Sequence, residues 1–270
     1  MESPPQGFQE DLAAALEQLQ QQVRAEPADV KHRIFLFQLL CLMGQWERGL
    51  KQLGLCAEMS PGCLPMAQAY REAIHCEAFR QSVFNGEHLA IVLGEPPRWL
   101  VLMMQGLQAE AAGHHSQSAA LRSEALELAP TVAGSINDQP FEWICDADSR
   151  LGPIMEMLIN GRYFWVPFEN IKRLSLDPPA DLRDLIWMPA QCLWSNGGES
   201  MVLIPCRYPG TELSDDNALR ISRKTLWLPQ PEGAYHGLGQ RILTTDVDEY
   251  PLMDIRSIEL ELAPLEDESQ

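Results

Sequence analysis

The stretch that decides the fold of the first half is residues 99–130, WLVLMMQGLQAEAAGHHSQSAALRSEALELAP. Apolar and small residues recur at helical spacing on both sides of Gly113, and Pro130 ends the run. Glycine accepts the left-handed backbone of a tight turn, and proline ends a helix because it lacks an N–H. The stretch therefore predicts two helices joined by a turn at Gly113.

The same spacing of glycine and proline recurs along the first half. Prolines at 27, 61, 96 and 130 are separated by 34, 35 and 34 residues, and Gly44 precedes Pro61 by the same 17 residues that separate Gly113 from Pro130. A period near 34 is typical of tetratricopeptide (TPR) repeats. The middle unit lacks a turn glycine and is degenerate, and residues 12–23 carry an apolar stripe that predicts a lone first helix. A helical bundle without repeats is the alternative.

After Pro130 the sequence consists of short apolar runs bounded by Pro, Gly and Asp, which is typical of strands. The predicted strands are Tyr163–Val166, Met201–Pro205, Thr225–Leu228, Ile242–Thr245 and Ile255–Leu262. Residues Ile154–Asn160 and Asp181–Trp187 are interpreted as short helices. The predicted fold class is α+β: TPR-like helical repeats over 1–130, a small mixed α/β domain with a largely antiparallel sheet over 131–264, and an acidic disordered tail over 265–270.

Composition excludes several classes of function. There are 38 acidic and 20 basic side chains, a net charge of −18, which repels nucleic acid and anionic membranes and favours a basic or amphipathic protein segment as partner. Seven cysteines without a C-x-x-C pair indicate reduced thiols rather than a zinc site. The apolar run Ile34–Met43 is too short to cross a membrane, and the chain starts without signal-peptide features. We expect a cytoplasmic protein.

The one candidate for chemistry is WICDADSRLGP, residues 143–153. Asp146 and Asp148, followed by Arg150, could bind a metal or act as acid and base. The alternative is a turn in which the carboxylates accept backbone N–H groups and pair with an arginine such as Arg150, Arg162, Arg183 or Arg207. Neither a nearby histidine nor a third carboxylate at calcium-loop spacing accompanies the pair, so we expect no catalytic residue, metal or cofactor.

The second half resembles the ImpE/TagJ family of bacterial type VI secretion accessory proteins. The repeat-like first half is also similar, so the resemblance covers nearly the whole chain apart from its termini. The resemblance lies in residues 146–153 (DADSRLGP), 161–168 (GRYFWVPF), 182–185 (LRDL), 207–210 (RYPG) and 237–241 (GLGQR). It implies cytoplasmic proteins without catalytic residues that associate with the small subunit of the contractile sheath and are linked to sheath recycling by an AAA+ unfoldase. The motif residues, expected to be structural, are Asp146, Asp148, Arg150, Arg162, Trp165, Arg183, Asp184, Arg207, Tyr208 and Arg241.

Together these observations predict a non-enzymatic adaptor whose stacked helices form a concave surface for an amphipathic helix. Repeat geometry nominates Ile34, Gln38, Cys41, Ala69, Ala73, Met103 and Leu107 for that surface. The alternative is that these residues are core between repeats. Two other functions remain open: a hydrolase or transferase using Asp146, Asp148 and Arg150, and a scaffold that self-associates through its second domain.

Overall fold

The computed structural model describes residues 11–261. The predicted acidic tail, 265–270, lies outside this part of the chain. Six helices come first: α1 (Leu12–Ala25), α2 (Val30–Leu42), α3 (Trp46–Met59), α4 (Leu64–Phe84), α5 (Arg98–Ala111) and α6 (His115–Leu128). Among the described residues, no helix combines the length and apolar character needed to cross a membrane.

Both predicted helix turns are present. Gly44 joins α2 to α3 with φ +68°, and Gly113 joins α5 to α6 with φ +80°. The second helices end at Met59 and Leu128, two residues before Pro61 and Pro130. Residues with a Cβ are strained at such positive φ, so each turn depends on its glycine.

The middle unit differs from its neighbours. It holds the single long helix α4 and then an extended segment, whose Ile91 bridges to Phe164 and accepts a hydrogen bond from the N–H of Trp165 (2.9 Å). Pro96 therefore follows a loop rather than a helix. Helix pairs separate into α2–α3 and α5–α6, with α4 between them.

The second half is built from strands, as predicted. These are β1 (Gly134–Ile136), β2 (Gln139–Phe141), β3 (Ile144–Asp146), β4 (Ile154–Ile159), β5 (Arg162–Pro167), β6 (Ile171–Leu176), β7 (Trp187–Trp194), β8 (Glu199–Pro205), β9 (Thr225–Pro229), β10 (Tyr235–Gly239), β11 (Ile242–Thr245), β12 (Glu249–Pro251) and β13 (Ser257–Leu260), with a short helix, α7 (Asn217–Arg220), before β9. Eight form an antiparallel sheet in the order β2-β1-β13-β6-β7-β8-β4-β5. Two smaller antiparallel sheets have the orders β12-β11-β3 and β10-β9. The α+β class is confirmed.

One predicted helix is wrong. Residues 154–159 form strand β4, which is buried along its whole length. Its residues alternate between two cores: Ile154 and Leu158 face the helices, whereas Met155 and Met157 face the opposite side of the sheet. A strand covered on both faces loses the alternation of polar and apolar residues that identifies strands. The other predicted short helix is a 3₁₀ turn, Leu182–Leu185.

The helices and one face of the large sheet share a core. Helix α4 lies against the sheet, where Tyr70 is 5.8 Å from Trp187 and Phe84 is 6.2 Å from Trp165 between ring centroids. The same cluster of buried side chains contains residues of α1 to α6 and of β4, β5 and β7. The two halves therefore stabilise each other by apolar burial.

This shared core corrects the predicted partner surface. Five of its seven residues are at most 5% exposed, Ile34 is partly buried, and Ala69 is exposed. The five buried ones are Gln38, Cys41, Ala73, Met103 and Leu107. The face predicted to be concave and open is covered because helices pack there on one another and on the sheet, so these five positions form core rather than a groove.

Candidate functional site

The candidate site starts where β3 ends, at Asp146, and continues through Asp148 and Arg150. Asp148 is fully buried. Its Oδ1 accepts hydrogen bonds from the backbone N–H (2.9 Å) and Nε (2.8 Å) of Arg150. Its Oδ2 accepts from Nη2 of Arg150 (2.6 Å) and from the N–H of Gly237 (2.8 Å). The predicted pairing with Arg150 is therefore present, in the two-pronged geometry that a guanidinium favours.

Asp146 is also buried, at 3% exposure. Its Oδ1 accepts hydrogen bonds from the N–H of Asp148 and the hydroxyl of Tyr208, both at 2.9 Å, and its Oδ2 forms an ion pair with Arg241. Arg241 was not among the arginines named as partners. It comes into reach because β11 pairs with β3, with Leu243 opposite Asp146.

Glu156, in β4, connects this loop to the helices. Arg80 of α4 donates from Nε to its Oε1 and from Nη2 to its Oε2, each at 2.7 Å. The hydroxyl of Tyr163 and the guanidinium of Arg241 also bind this carboxylate. Nη2 of Arg80 donates further to the carbonyl of Arg207 (2.9 Å). One fully buried carboxylate thus receives two guanidiniums, one from a helix and one from the sheet.

We call Arg80, Asp146, Glu156 and Arg241 the buried ionic network. Burial alone would raise the pKa of Glu156, but Arg80 and Arg241 outweigh burial and lower that pKa to about 2. For Asp146 burial outweighs the attraction of Arg241 and raises the pKa to about 6. Two guanidiniums face two carboxylates, so the network is neutral when both are ionised.

The geometry bears directly on the hydrolase or transferase alternative. A catalytic carboxylate must reach its substrate, whereas Asp146 and Asp148 are buried and all four of their oxygens are engaged by the chain. What this arrangement can do is fix the loop after β3 against α4 and β11. Neither residue presents an open carboxylate oxygen to a substrate or a metal.

Two further arginines of the motif set bind at the junction of helices and sheet. Arg207, whose pKa is lowered by burial, donates from Nη1 to the carbonyl of Leu42 at the end of α2 (2.9 Å) and to the carbonyl of Arg220 (2.8 Å). Arg183 lies over the ring of Tyr70 in α4, with its guanidinium carbon 4.6 Å from the ring centroid. Both side chains therefore connect the second half to helices of the first.

The remaining motif residues lie nearby with local roles. Asp184 accepts a hydrogen bond from the N–H of Ala180 (2.7 Å) and helps to cap the 3₁₀ turn. The indole N–H of Trp165 donates to the hydroxyl of Tyr163 (2.7 Å). Arg162 is exposed, and its guanidinium carbon lies 5.6 Å from the centroid of the Phe164 ring.

Sequence reasoning assigned no role to Arg80 or Glu156. A signal for Arg80 was available: it lies at helical spacing from Ala73, Cys76 and Phe84, which are all buried. A charged residue within an apolar stripe predicts a buried partner, because an unpaired buried charge is too costly. Glu156 gave a similar signal, since it is the one charged residue in the apolar run 154–159, but that run was interpreted as a helix.

Among the described residues, one group has the composition of a metal site. Nδ1 of His32 lies 3.9 Å from Glu26 and 4.0 Å from Asp29, at the corner between α1 and α2. Glu26 is exposed, and Asp29 also caps α2 by accepting from the N–H of Lys31 (2.7 Å). At these distances Nδ1 of His32 forms no hydrogen bond with either carboxylate. Exposed carboxylates commonly occur together without an ion, so the group by itself does not indicate a metal site.

Comparison with known proteins places this arrangement in a family. The profile of the ImpE protein family matches residues 138–259, which contain all of the motif residues. The type VI secretion system accessory component TagJ of Pseudomonas aeruginosa is 45% identical over 252 residues, covering 93% of this chain and 88% of that protein. A crystal structure of a Vibrio parahaemolyticus protein is 25% identical with a TM-score of 0.84, over 94% of this chain and 95% of that one. The chain belongs to the ImpE/TagJ family.

Proposed function

We propose that this protein is a non-enzymatic cytoplasmic adaptor of a bacterial type VI secretion system. The observation that carries the proposal is the 45% identity to a type VI accessory component over nearly the whole chain. The burial of Asp146 and Asp148 supports a role without catalysis, because an enzyme using them would first have to break their hydrogen bonds.

The proposed partner is the small subunit of the contractile sheath, bound through an amphipathic helix, with the sheath-recycling AAA+ unfoldase as a linked partner. The surface we propose is the outer face of α3. Leu55 and Met59 are each 37% exposed and lie at i and i+4, while Gly49, Leu53 and Cys56 face the core. Two apolar side chains one turn apart suit the anchor spacing of a helix laid alongside.

The helix pairs α2–α3 and α5–α6 are, in this proposal, degenerate TPR-like units. In a repeat array each unit buries its faces against neighbours, and a partner helix on α3 would add one more layer. The net charge of −18 favours a partner helix with basic residues beside its apolar face, since electrostatic attraction speeds encounter and burial supplies most of the affinity.

Calorimetry with the purified small sheath subunit tests the proposal. We expect a dissociation constant of roughly micromolar size, because ordering a short helix offsets part of the interaction free energy. Leu55→Asp with Met59→Asp should weaken binding at least about tenfold. Leu213→Asp, at a position 80% exposed and outside α3, is the matched control and should bind like the unchanged protein.

The two parts of the proposal fail in different ways. Absence of binding by the unchanged protein would refute the adaptor role. Equal binding by the double variant, once a thermal melt shows that it is folded, would refute the α3 surface alone.

A further inference from the structure

The small sheet of β9 and β10 has one fixed edge and one open edge. On the fixed edge, the N–H of Gly237 donates to Asp148 (2.8 Å) and the N–H of Gly239 donates to Thr211 (2.8 Å). Strand β9 forms the other edge. A two-stranded sheet is marginally stable by itself, and an open edge presents unpaired N–H and C=O groups to other chains.

The ladder identifies which groups of β9 point outward. Gly237 lies opposite Trp227, and Gly239 lies opposite Thr225. Because both glycine N–H groups point away from β9, these are the non-hydrogen-bonded pairs of the antiparallel ladder. The N–H and C=O of Trp227 and Thr225 therefore point away from β10. Within residues 11–261, no other segment forms a hydrogen bond with these four groups.

The exposed side chains on this edge are apolar, whereas charged ones would discourage pairing with another chain. Leu226 and Leu228 are 43% and 38% exposed, whereas Trp227 lies on the opposite face and packs on Tyr208 with ring centroids 5.6 Å apart. Edge strands usually carry charges that discourage pairing. Here the charged residues precede the strand, and Pro229 comes only at its end.

We infer that the β9 edge pairs with the β9 edge of a second copy of this chain, joining two hairpins into a four-stranded antiparallel sheet. With Trp227 opposite its own copy, the two residues exchange both backbone hydrogen bonds. Thr225 then lies opposite Pro229 of the second copy. The carbonyl of Pro229 accepts a hydrogen bond from the N–H of Thr225, and Pro229 donates none in return. The missing N–H of proline is compatible with this register.

Side chains complement one another in the same register. Leu226 lies opposite Leu228 of the second copy, so four leucines meet on one face at the close spacing of non-hydrogen-bonded pairs. The strands run in opposite directions, so Arg223, just before one strand, approaches the end of the other strand, which is followed by Glu232. Lys224 is already paired with Asp216 of its own chain (2.8 Å). The edge is thus complementary to itself in backbone, apolar side chains and charge, as a two-fold interface requires.

Sedimentation velocity of the full chain over a concentration series tests the inference without any secretion protein. We expect a reversible monomer–dimer equilibrium, with the dimer weakened at least about tenfold by Leu228→Lys. Met201→Lys, at a 66% exposed position of β8, is the matched control and should leave the equilibrium unchanged. A monomer at all concentrations up to roughly millimolar, or a dimer indifferent to folded Leu228→Lys, would overturn the inference. Because sheath binding is not measured, this result stands apart from the adaptor proposal.

Cross-linking then tests the register. A mixture of Leu226→Cys and Leu228→Cys chains should form an intermolecular disulfide under mild oxidation, because the paired Cα atoms would lie about 4.5 Å apart. Each variant alone should cross-link at least about fivefold less, since its two cysteines would be diagonal neighbours roughly 7–8 Å apart. Equal cross-linking in the mixture and in either variant alone would refute the proposed pairing.

Discussion

Replacing Arg80 by methionine removes the charge that joins α4 to the sheet while keeping a long apolar stem. The change deletes two hydrogen bonds of 2.7 Å to Glu156, one of 2.9 Å to the carbonyl of Arg207, and a longer one of 3.4 Å to Glu77 within α4. It leaves Glu156 fully buried with Arg241 and Tyr163 as its remaining partners. Breaking a buried ion pair from one side costs about 3–5 kcal/mol, and the surviving partners place the expected loss near the lower figure.

Urea unfolding followed by circular dichroism and by tryptophan fluorescence measures this loss. About 3 kcal/mol corresponds to a drop in melting temperature of roughly 6–12 °C for a chain of this size. The matched control is Arg98→Met, since Arg98 pairs with Glu124 where both side chains are exposed, by 75% and 45%. An exposed pair contributes at most about 1 kcal/mol.

The double variant Arg80→Met with Glu156→Gln completes the cycle. Removing both partners avoids an underpaired buried carboxylate, so the double variant should lose less stability than the sum of the single ones. If Arg80→Met costs no more than Arg98→Met, the buried ionic network does not stabilise the junction. If circular dichroism and tryptophan fluorescence give different urea unfolding curves for the unchanged protein, the helices and the sheet do not unfold as one unit.

Three further predictions concern the turn at Gly113, the carboxylate of Asp148 and the carboxylate of Glu156. Gly113→Val should cost about 1 kcal/mol or more in urea unfolding, because φ is +80° and the site is otherwise spacious, so the strain lies in the backbone alone. Asp148→Asn should cost about 1–3 kcal/mol by leaving Arg150 underpaired, and divalent metals should not change the melting temperature of the unchanged protein if the loop is structural. Glu156 has its pKa lowered from 4.5 to about 2, so its stabilisation is present above pH 4.5 and is lost as pH falls towards 2. Over that interval Glu156→Gln should remove about 3 kcal/mol of the acid dependence of the unfolding free energy.

Local features of the fold could be predicted from the sequence because they depend on nearby residues. The turns at Gly44 and Gly113 follow from glycine's freedom at positive φ, and the pairing of Asp148 with Arg150 needs only two residues of separation. The ends of the strands in the second half could also be predicted, since Pro, Gly or Asp lies next to most of those strands in the sequence. In each case the deciding interaction lies within one turn or one strand.

Features that depend on packing between distant segments could not be predicted. The interpretation of Gln38 and Met103 as an open surface failed because it assumed that the helices face solvent, whereas other helices and the sheet cover them. Arg241 was in the motif set, but its partner is set by strand pairing across 95 residues of sequence. Arg80 meets Glu156 only because α4 packs against the sheet.

The position of the charges constrains where a partner can bind. The buried ionic network is neutral when ionised, and Asp148 with Arg150 is neutral too, so these six side chains contribute nothing to the net charge of −18. The negative excess therefore belongs to the rest of the chain, where its field can act on a partner at a distance. Most of the motif residues are instead buried at the helix–sheet junction. Apart from Arg162, which is exposed, the residues that a partner would meet thus lie mainly outside the motifs, and the motif residues stabilise the structure that presents them.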